Sequence, residues 1–229
     1  MKVVITGGSS GIGMSAAKLF LSRGHTVIVI DIKRPDYEVE FIKADVSIAD
    51  QVIRAAKTIK QRHGKIDGLY HNAGILGQVC DTLHCYDSDF MRIINVNLLG
   101  TYYVDKYIGS LVSPGGAIVN QSSVLGIMPV KGKGAYNASK AAIIALTRTL
   151  ALELSSINIR AVTICPGIVD TPMVRSDATM VGAEKFVPLG RIAAPEEIAE
   201  LAYFIITTDK YMNGSCIVID GGETAGFSI

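Results

Sequence analysis

The chain has 229 residues, of which 49% are hydrophobic and 19% charged, a balance typical of a folded globular protein and not of a disordered one. The formal net charge of +1 excludes the strongly basic character of most proteins that bind nucleic acid or acidic membranes. The sequence has no apolar run of the roughly 18 residues that a membrane span needs, and a strand pattern begins where a signal peptide would lie. We therefore predict a cytoplasmic protein that binds small molecules and neither nucleic acid nor membranes.

Short β-branched segments alternate with longer amphipathic segments along the chain. The β-branched segments predict seven strands, at residues 3–6, 26–31, 38–44, 68–71, 117–121, 159–165 and 216–219. The amphipathic segments predict helices at residues 12–22, 48–62, 89–111, 135–154 and 195–207. We therefore expect a single α/β domain over residues 1–229, a Rossmann-like doubly wound parallel sheet of about seven strands with helices on both faces. Such sheets bind ligands at the carboxyl ends of the strands, where the strand order reverses.

Two connections and the cysteines stand out. Only about seven residues, 32–38, join the second predicted strand to the third, which is too short for the usual crossover helix. The stretch at 171–188 is predicted to form a substrate lid. The chain has no Cys-x-x-Cys pair. We therefore interpret its four cysteines as buried or incidental thiols, namely Cys80, Cys85, Cys165 and Cys216.

A glycine-rich turn follows the first predicted strand, where residues 6–13 read TGGSSGIG and open a helix. Glycine at these positions lets the backbone and the helix N-terminus approach a pyrophosphate. A glycine-rich turn by itself is also compatible with tight packing alone. With a strand before it, a helix after it and an acid downstream, it predicts a dinucleotide site formed by Gly7, Ser9, Ser10, Gly11, Ile12 and Gly13.

The acid downstream is Asp31, at the end of the second predicted strand, where a carboxylate accepts hydrogen bonds from the adenosine ribose. A carboxylate there repels a 2′-phosphate, so we favour NAD as the cofactor. Lys33 and Arg34 follow at once and are able to partner that phosphate, which keeps NADP as the alternative. Residues at the ends of the third and fourth strands, although they are also ordinary turn formers, are candidates to border the adenine: Asp45, Val46, Asn72, Ala73 and Gly74.

Tyr136 and Lys140 lie four residues apart at the start of a predicted helix, which places the phenol and the ammonium on one face. A free tyrosine has a pKa of about 10, and a nearby cation favours the phenolate, so proton exchange with a substrate hydroxyl becomes feasible near neutral pH. The same spacing also occurs on exposed faces of ordinary amphipathic helices.

Seven motifs occur in order along the chain: TGGSSGIG at 6–13, NAG at 72–74, NVN at 95–97, Ser123, YNASK at 136–140, PG at 166–167 and VIDGG at 218–222. Together they resemble the short-chain dehydrogenase/reductase family over nearly the whole length. The resemblance implies an oxidoreductase that uses NAD or NADP on an alcohol or carbonyl group and requires no metal.

The resemblance also implies roles for single residues. Tyr136 would exchange the proton, and Lys140 would lower the tyrosine pKa and hydrogen-bond the nicotinamide ribose. Ser123 would hold the reacting oxygen, with Ser122 the structural serine. Asn97, in a helix, would help to position water for a proton relay to Lys140.

At the nicotinamide and at the surface the resemblance implies further features. The nicotinamide would be lined by Pro166, Gly167, Val169 and Thr171. The helix at 135–154 is apolar on more than one face, and in similar proteins this helix contacts other subunits, which implies a homotetramer or dimer. Burial of both faces inside the monomer is the alternative.

Three functions follow, of which the first is favoured: an NAD(H)-dependent oxidoreductase that moves hydride between nicotinamide and an alcohol or carbonyl substrate, with Tyr136 as acid/base. The second is an NADPH-dependent carbonyl reductase of the 3-oxoacyl-thioester type, which needs Lys33 or Arg34 to override Asp31. The third is a non-catalytic dinucleotide-sensing protein, since fold does not imply function. Such proteins often lose the tyrosine or the lysine, and this chain keeps both.

Overall fold

Seven strands form one parallel sheet in the computed structural model, which describes residues 1–226. The strands are β1 Lys2–Thr6, β2 Thr26–Asp31, β3 Glu40–Lys43, β4 Ile66–His71, β5 Val112–Gln121, β6 Arg160–Pro166 and β7 Cys216–Ile219. Their order in the sheet is β3-β2-β1-β4-β5-β6-β7. The order reverses between β1 and β4, which opens a crevice at the carboxyl ends of these strands. The predicted α/β sheet is confirmed, and the last three residues of the predicted domain range lie outside the described residues.

Helices cover both faces of the sheet. They are α1 Gly11–Ser22, α2 Ala49–His63, α3 Asp87–Ile94, α4 Gly100–Tyr107, α5 Gly134–Leu154, α6 Pro172–Arg175 and α7 Pro195–Thr207. On one face Val4 packs in a core with Ile59 of α2, and on the other Ile5 packs in a core with Phe20 of α1. Because alternate residues of β1 face opposite layers and both are apolar, the strand is buried on both sides. Within residues 1–226, no helix is both long and apolar enough to cross a membrane.

The helix predicted at 89–111 is divided into several parts. Between α3 and α4 lies a π-helical turn, Asn95–Leu99, and after α4 comes a 3-10 turn, Gly109–Leu111. A π turn accommodates an extra residue within a helical run and often occurs at functional sites. Here it contains Asn97.

Strand boundaries differ from the prediction mainly at β3 and β5. β3 is shorter than predicted, whereas β5 begins at Val112, five residues earlier. Residues 112–116 look like a loop in the sequence because they contain Pro114 and two glycines, yet Val112 pairs with Ile66 across a register shift. The short connection 32–39 contains bends and no helix, as predicted.

The interpretation of the cysteines as thiols is wrong for two of them. Cys80 and Cys85 form a disulfide bond. A turn in which His84 N–H donates to the Asp81 carbonyl folds the chain back, so the two Cα atoms lie 5.6 Å apart, within the range of a disulfide. Cys165 and Cys216 are free thiols.

Candidate active site

The glycine-rich turn joins the end of β1 to the N-terminus of α1. Gly7 and Gly11 adopt φ values of 69° and 51°, the left-handed region that favours glycine. The N-cap residue Ser10 makes no side-chain hydrogen bond to the first turn of α1, so the amides of that turn are available to an anion. A Cβ at Gly13 would collide with the Gly7 carbonyl, so only glycine fits there. The turn therefore has the shape and donors that a diphosphate needs.

Asp31 is held at the end of β2 by backbone amides. Its Oδ2 accepts a 3.1 Å hydrogen bond from Ser9 N–H, and its Oδ1 accepts one of the same length from Lys33 N–H. The Ser9 hydroxyl in turn donates to the Lys33 carbonyl at 2.6 Å. Each carboxylate oxygen keeps acceptor capacity, so the fixed carboxylate is able to receive further hydrogen bonds.

A cleft of about 500 Å³ runs along the carboxyl ends of the strands. It is lined by thirteen of the predicted residues, namely Gly7, Ser10, Gly11, Ile12, Asp31, Asp45, Val46, Asn72, Ala73, Gly74, Tyr136, Lys140 and Thr171. Among the described residues, the predicted ones that do not line it are Ser9, Gly13, Asn97, Ser123, Pro166, Gly167 and Val169. The sheet edge thus brings most of the predicted adenosine and diphosphate residues into one cleft with two of the four predicted catalytic residues, Tyr136 and Lys140.

The predicted lining of the nicotinamide by residues 166–169 is not seen in the shape of the cleft. Val169 is 3% exposed and its side chain belongs to the core beneath β6. Pro166 pairs with Ile219 of β7, and Gly167 N–H donates to the Ile219 carbonyl at 3.0 Å. These residues therefore support the edge of the site, and Thr171 is the residue of this group that lines the cleft.

Several lining residues were missed by sequence reasoning. Most are chain neighbours of predicted ones, such as Ile32, Ser47, Ile75 and Met173, and a wider window around each motif would have found them. The cleft also receives Val96, the middle residue of the NVN motif, and Arg92 of α3, which no local motif marks.

Tyr136 and Lys140 lie on the first two turns of α5, with Lys140 Nζ 5.6 Å from the centre of the tyrosine ring. Lys140 is 3% exposed and donates a 2.9 Å hydrogen bond to the Gln121 carbonyl. The predicted placement of phenol and ammonium on one helix face is confirmed.

The pKa values of both groups are shifted toward the neutral forms. Burial raises the pKa of Tyr136 to about 12, and the Ser123 hydroxyl acts in the opposite direction. Burial lowers the pKa of Lys140 to about 8. Desolvation thus outweighs the hydrogen bond with Ser123, and the lowering of the tyrosine pKa that was expected from Lys140 is not found in the protein alone.

The two serines after β5 have different partners. Ser123 caps the turn Val124–Gly126, and its Oγ accepts a 3.1 Å hydrogen bond from Leu125 N–H. Ser122 Oγ donates to the Lys140 carbonyl at 2.7 Å, which ties β5 to α5. This bond is of the kind that a structural serine makes, although Ser122, and not Ser123, lines the cleft.

Asn97 is fully buried in the π turn, and its side-chain amide makes three hydrogen bonds to protein groups. Its Oδ1 accepts from Ile75 N–H at 2.8 Å, and its Nδ2 donates to the Ile75 carbonyl at 2.9 Å and to Ser139 Oγ at 3.0 Å. Asn97 therefore fixes the chain just after the NAG turn to the helix that carries Tyr136, and its side chain does not reach the cleft.

Thr171 begins the segment 171–188, which the sequence predicts to be a substrate lid. Its Oγ1 accepts a hydrogen bond from Val174 N–H and so caps α6, while its methyl group packs over Gly11. After α6 this segment consists of two 3-10 turns, Ala178–Met180 and Ala183–Phe186. The segment therefore starts against the glycine turn.

These features together fit a nicotinamide dinucleotide. A Cβ at Gly7 or Gly13 would collide with the protein itself, so these glycines let the turn pack closely against residues 72–73. The free amides of α1 suit a diphosphate. Asp31 offers acceptors for ribose hydroxyls at one end, and Lys140 offers donors at the other.

The chain matches known proteins over almost its whole length. Residues 7–224 match the family model described as enoyl-(acyl carrier protein) reductase. The chain is 35% identical to the 3-oxoacyl-[acyl-carrier-protein] reductase FabG of Thermotoga maritima, over 96% of each protein. It is 36% identical to the uncharacterized short-chain type dehydrogenase/reductase y4vI of Sinorhizobium fredii, of whose length it spans 43%.

Its fold is similar to solved structures as well. The ligand-free aldohexose dehydrogenase of Thermoplasma acidophilum superimposes with a TM-score of 0.93 at 32% identity, covering 100% of this chain and 95% of that one. With the cleft, the ordered motifs and these matches in agreement, the chain belongs to the short-chain dehydrogenase/reductase family, whose members are oxidoreductases that act on CH–OH or carbonyl groups.

Proposed function

We propose that the protein is an NAD(H)-dependent oxidoreductase that interconverts an alcohol and a carbonyl compound, with Tyr136 as the acid/base. When bound, NAD(H) supplies the carbon that accepts or donates hydride. In the oxidative direction the Tyr136 phenolate takes the proton of the alcohol, and in the reductive direction the phenol returns it to the carbonyl oxygen. Ser123 holds that oxygen, and Lys140 binds a ribose hydroxyl and stabilises the phenolate.

The position of Asp31 carries the choice of NAD. The carboxylate is fixed by two backbone amides at the end of the cleft opposite Tyr136. A fixed anion accepts hydrogen bonds from ribose hydroxyls and repels a 2′-phosphate. Within residues 1–226, neither Lys33 nor Arg34 lines the cleft, and the Arg34 guanidinium lies 5.3 Å from the centre of the Phe41 ring. Arg34 therefore has another contact.

The second candidate is an NADPH-dependent reductase of 3-oxoacyl thioesters. It is favoured by the 35% identity to a protein named 3-oxoacyl-[acyl-carrier-protein] reductase. In that case Lys33 would have to turn toward the 2′-phosphate and offset Asp31. A non-catalytic dinucleotide-sensing role is the third candidate, and retention of Tyr136, Lys140, Ser123 and Asn97 speaks against it.

The helix α5 supports a further part of the proposal, that the protein assembles as a homotetramer or dimer. Leu152 on this helix is 80% exposed, and Tyr102 on the neighbouring α4 is 41% exposed. Exposed side chains of this size on α4 and α5 would be suited to contact with another copy of the chain.

Binding of NADH and NADPH, titrated in parallel and followed by nicotinamide fluorescence, tests the cofactor assignment. We expect tighter binding of NADH, a preference that weakens about tenfold or more in Asp31→Ala because two ribose contacts are lost. Asp36→Ala removes an exposed carboxylate from the same connection and is the matched control, which should keep the preference. Tighter NADPH binding that depends on Lys33 would favour the thioester reductase, and binding of neither cofactor would overturn the proposal.

A further inference from the structure

One buried ion pair joins the start of α5 to the lid segment, defined here as residues 172–187. Lys133 Nζ lies 2.9 Å from Asp177 Oδ2, and the two side chains are only 8% and 6% exposed. The neighbouring pair between Arg175 and Asp170 is 67% and 43% exposed. Exposed pairs contribute little to a fold, whereas loss of one partner of a buried pair leaves a charge without compensation. The Lys133–Asp177 pair is therefore the stronger of the two constraints on the lid segment.

Lys133 stands where three segments meet. It directly precedes α5, and its carbonyl accepts a 2.8 Å hydrogen bond from Asn137 N–H, in the turn that carries Tyr136. Lys133 also forms a parallel bridge with Cys80, and the preceding carbonyl, of Gly132, accepts from Cys80 N–H at 2.9 Å. The backbone of Lys133 is thus fixed to both the Tyr136 turn and the disulfide-closed loop.

Asp177 is fixed within the lid segment. Its Oδ1 accepts hydrogen bonds from Thr179 N–H at 3.0 Å and from Thr179 Oγ1 at 2.6 Å, and its own N–H donates to the Val174 carbonyl at 3.1 Å. Burial by itself would raise the pKa of Asp177, but hydrogen bonds from Thr179 and Lys133 hold it below the usual value. The carboxylate is therefore charged at neutral pH, and a shift of Lys133 would be transmitted to the backbone of the lid segment.

We infer that Lys133 is a positioning residue that, through Asp177, holds the lid segment against the turn carrying Tyr136 and so sets the substrate side of the active site. This inference rests on the proposed function, because it takes Tyr136 as the group that meets the substrate. The positive charge of Lys133 is compensated by the carboxylate of Asp177, so Lys133 does not act as a binding site for an anionic substrate.

Hydrogen–deuterium exchange of the amides in 172–187, measured with NADH present, tests the inference directly. Lys133→Met leaves the buried carboxylate unpaired and should speed exchange in this segment about tenfold or more. Lys133→Arg retains the cation and should stay within about threefold of the native rate. Arg160→Met is the matched control. The side chains of the Arg160–Asp209 pair are comparably buried, each 9% exposed, but Arg160 begins β6, at the end of the strand away from the cleft. This variant should lower Tm and leave exchange in 172–187 unchanged.

A kinetic readout separates positioning from general loss of structure. With cyclohexanone as a neutral probe ketone, Lys133→Met should raise KM about tenfold and leave the Kd for NADH within about twofold of native, with recovery in Lys133→Arg. Native exchange in the lid segment of folded Lys133→Met, or equal acceleration by Arg160→Met, would overturn the inference. Failure of the native chain to bind NADH would instead overturn the proposed function, and the exchange comparison would still decide what Lys133 holds in place.

Discussion

Lys140 donates a hydrogen bond to the main-chain carbonyl of Gln121, the last residue of β5, at 2.9 Å. This bond fixes the ammonium at the carboxyl edge of the sheet, beside the Tyr136 ring. An ammonium carries three protons, and within residues 1–226 the Gln121 carbonyl is its hydrogen-bond acceptor, so two protons remain for a cofactor ribose. The active site is therefore arranged around a buried cation that has protons to donate to a ligand.

The first prediction concerns the stability cost of that cation. Burial lowers the pKa of Lys140 from 10.5 to about 8, so between these values the unfolded chain binds more protons and stability rises with pH. Lys140→Met should raise the free energy of unfolding at pH 7 by up to about 3 kcal/mol, because no buried charge remains, and should flatten the rise above pH 8. It should also abolish turnover. Thermal melts at pH 7 and pH 10 check this, and a variant that melts below the native chain at pH 7 would contradict it.

The second prediction concerns Asp105 of α4, which is buried beneath β5. Its Oδ2 accepts a 2.9 Å hydrogen bond from Asn120 Nδ2, but burial raises the pKa of the carboxyl to about 7. The native chain thus binds more protons than the unfolded chain between about pH 4 and pH 7, and stability falls as pH rises through that interval. Asp105→Asn should remove this fall and be more stable than native at pH 8, by roughly 2 kcal/mol.

Melting temperatures measured from pH 5 to pH 8 test the Asp105 prediction. The exposed carboxylate Asp50 provides the control, and Asp50→Asn should keep the native pH profile. Parallel profiles for native and Asp105→Asn chains would show that the carboxyl does not titrate in this interval.

The parts of the site that were predicted from the sequence are those carried by short stretches of chain. The glycine turn of residues 6–13, the acid at the end of β2 and the Tyr136–Lys140 pair each depend on one strand end or one helix face, and the structure has them where the pattern places them. The parallel sheet was predicted from the alternation of strand and helix patterns along the chain. Strands that are buried on both faces of such a sheet are typically apolar throughout.

Features that depend on distant residues were not predicted. Arg92 reaches the cleft from α3. Lys133 pairs with Asp177, 44 positions later in the sequence. Neither contact is marked by a local sequence pattern. The π turn at Asn97 was not predicted either. The hydrogen bonds between the Asn97 side-chain amide and the Ile75 backbone depend on where the NAG turn passes in three dimensions. The Cys80–Cys85 disulfide was not predicted, because the spacing of cysteines alone does not show whether a turn brings two thiols together.

The central claim is that Tyr136 carries the proton of the reaction, and Tyr136→Phe tests it most directly. Native and variant chains would be compared for NADH oxidation with a panel of neutral ketones and for NADH affinity by fluorescence titration. Phenylalanine keeps the ring and removes the acid/base, so we predict a fall in kcat of about 10²- to 10⁴-fold with a Kd for NADH within about threefold of native. A variant that retains native kcat on a ketone the native chain reduces would contradict the account.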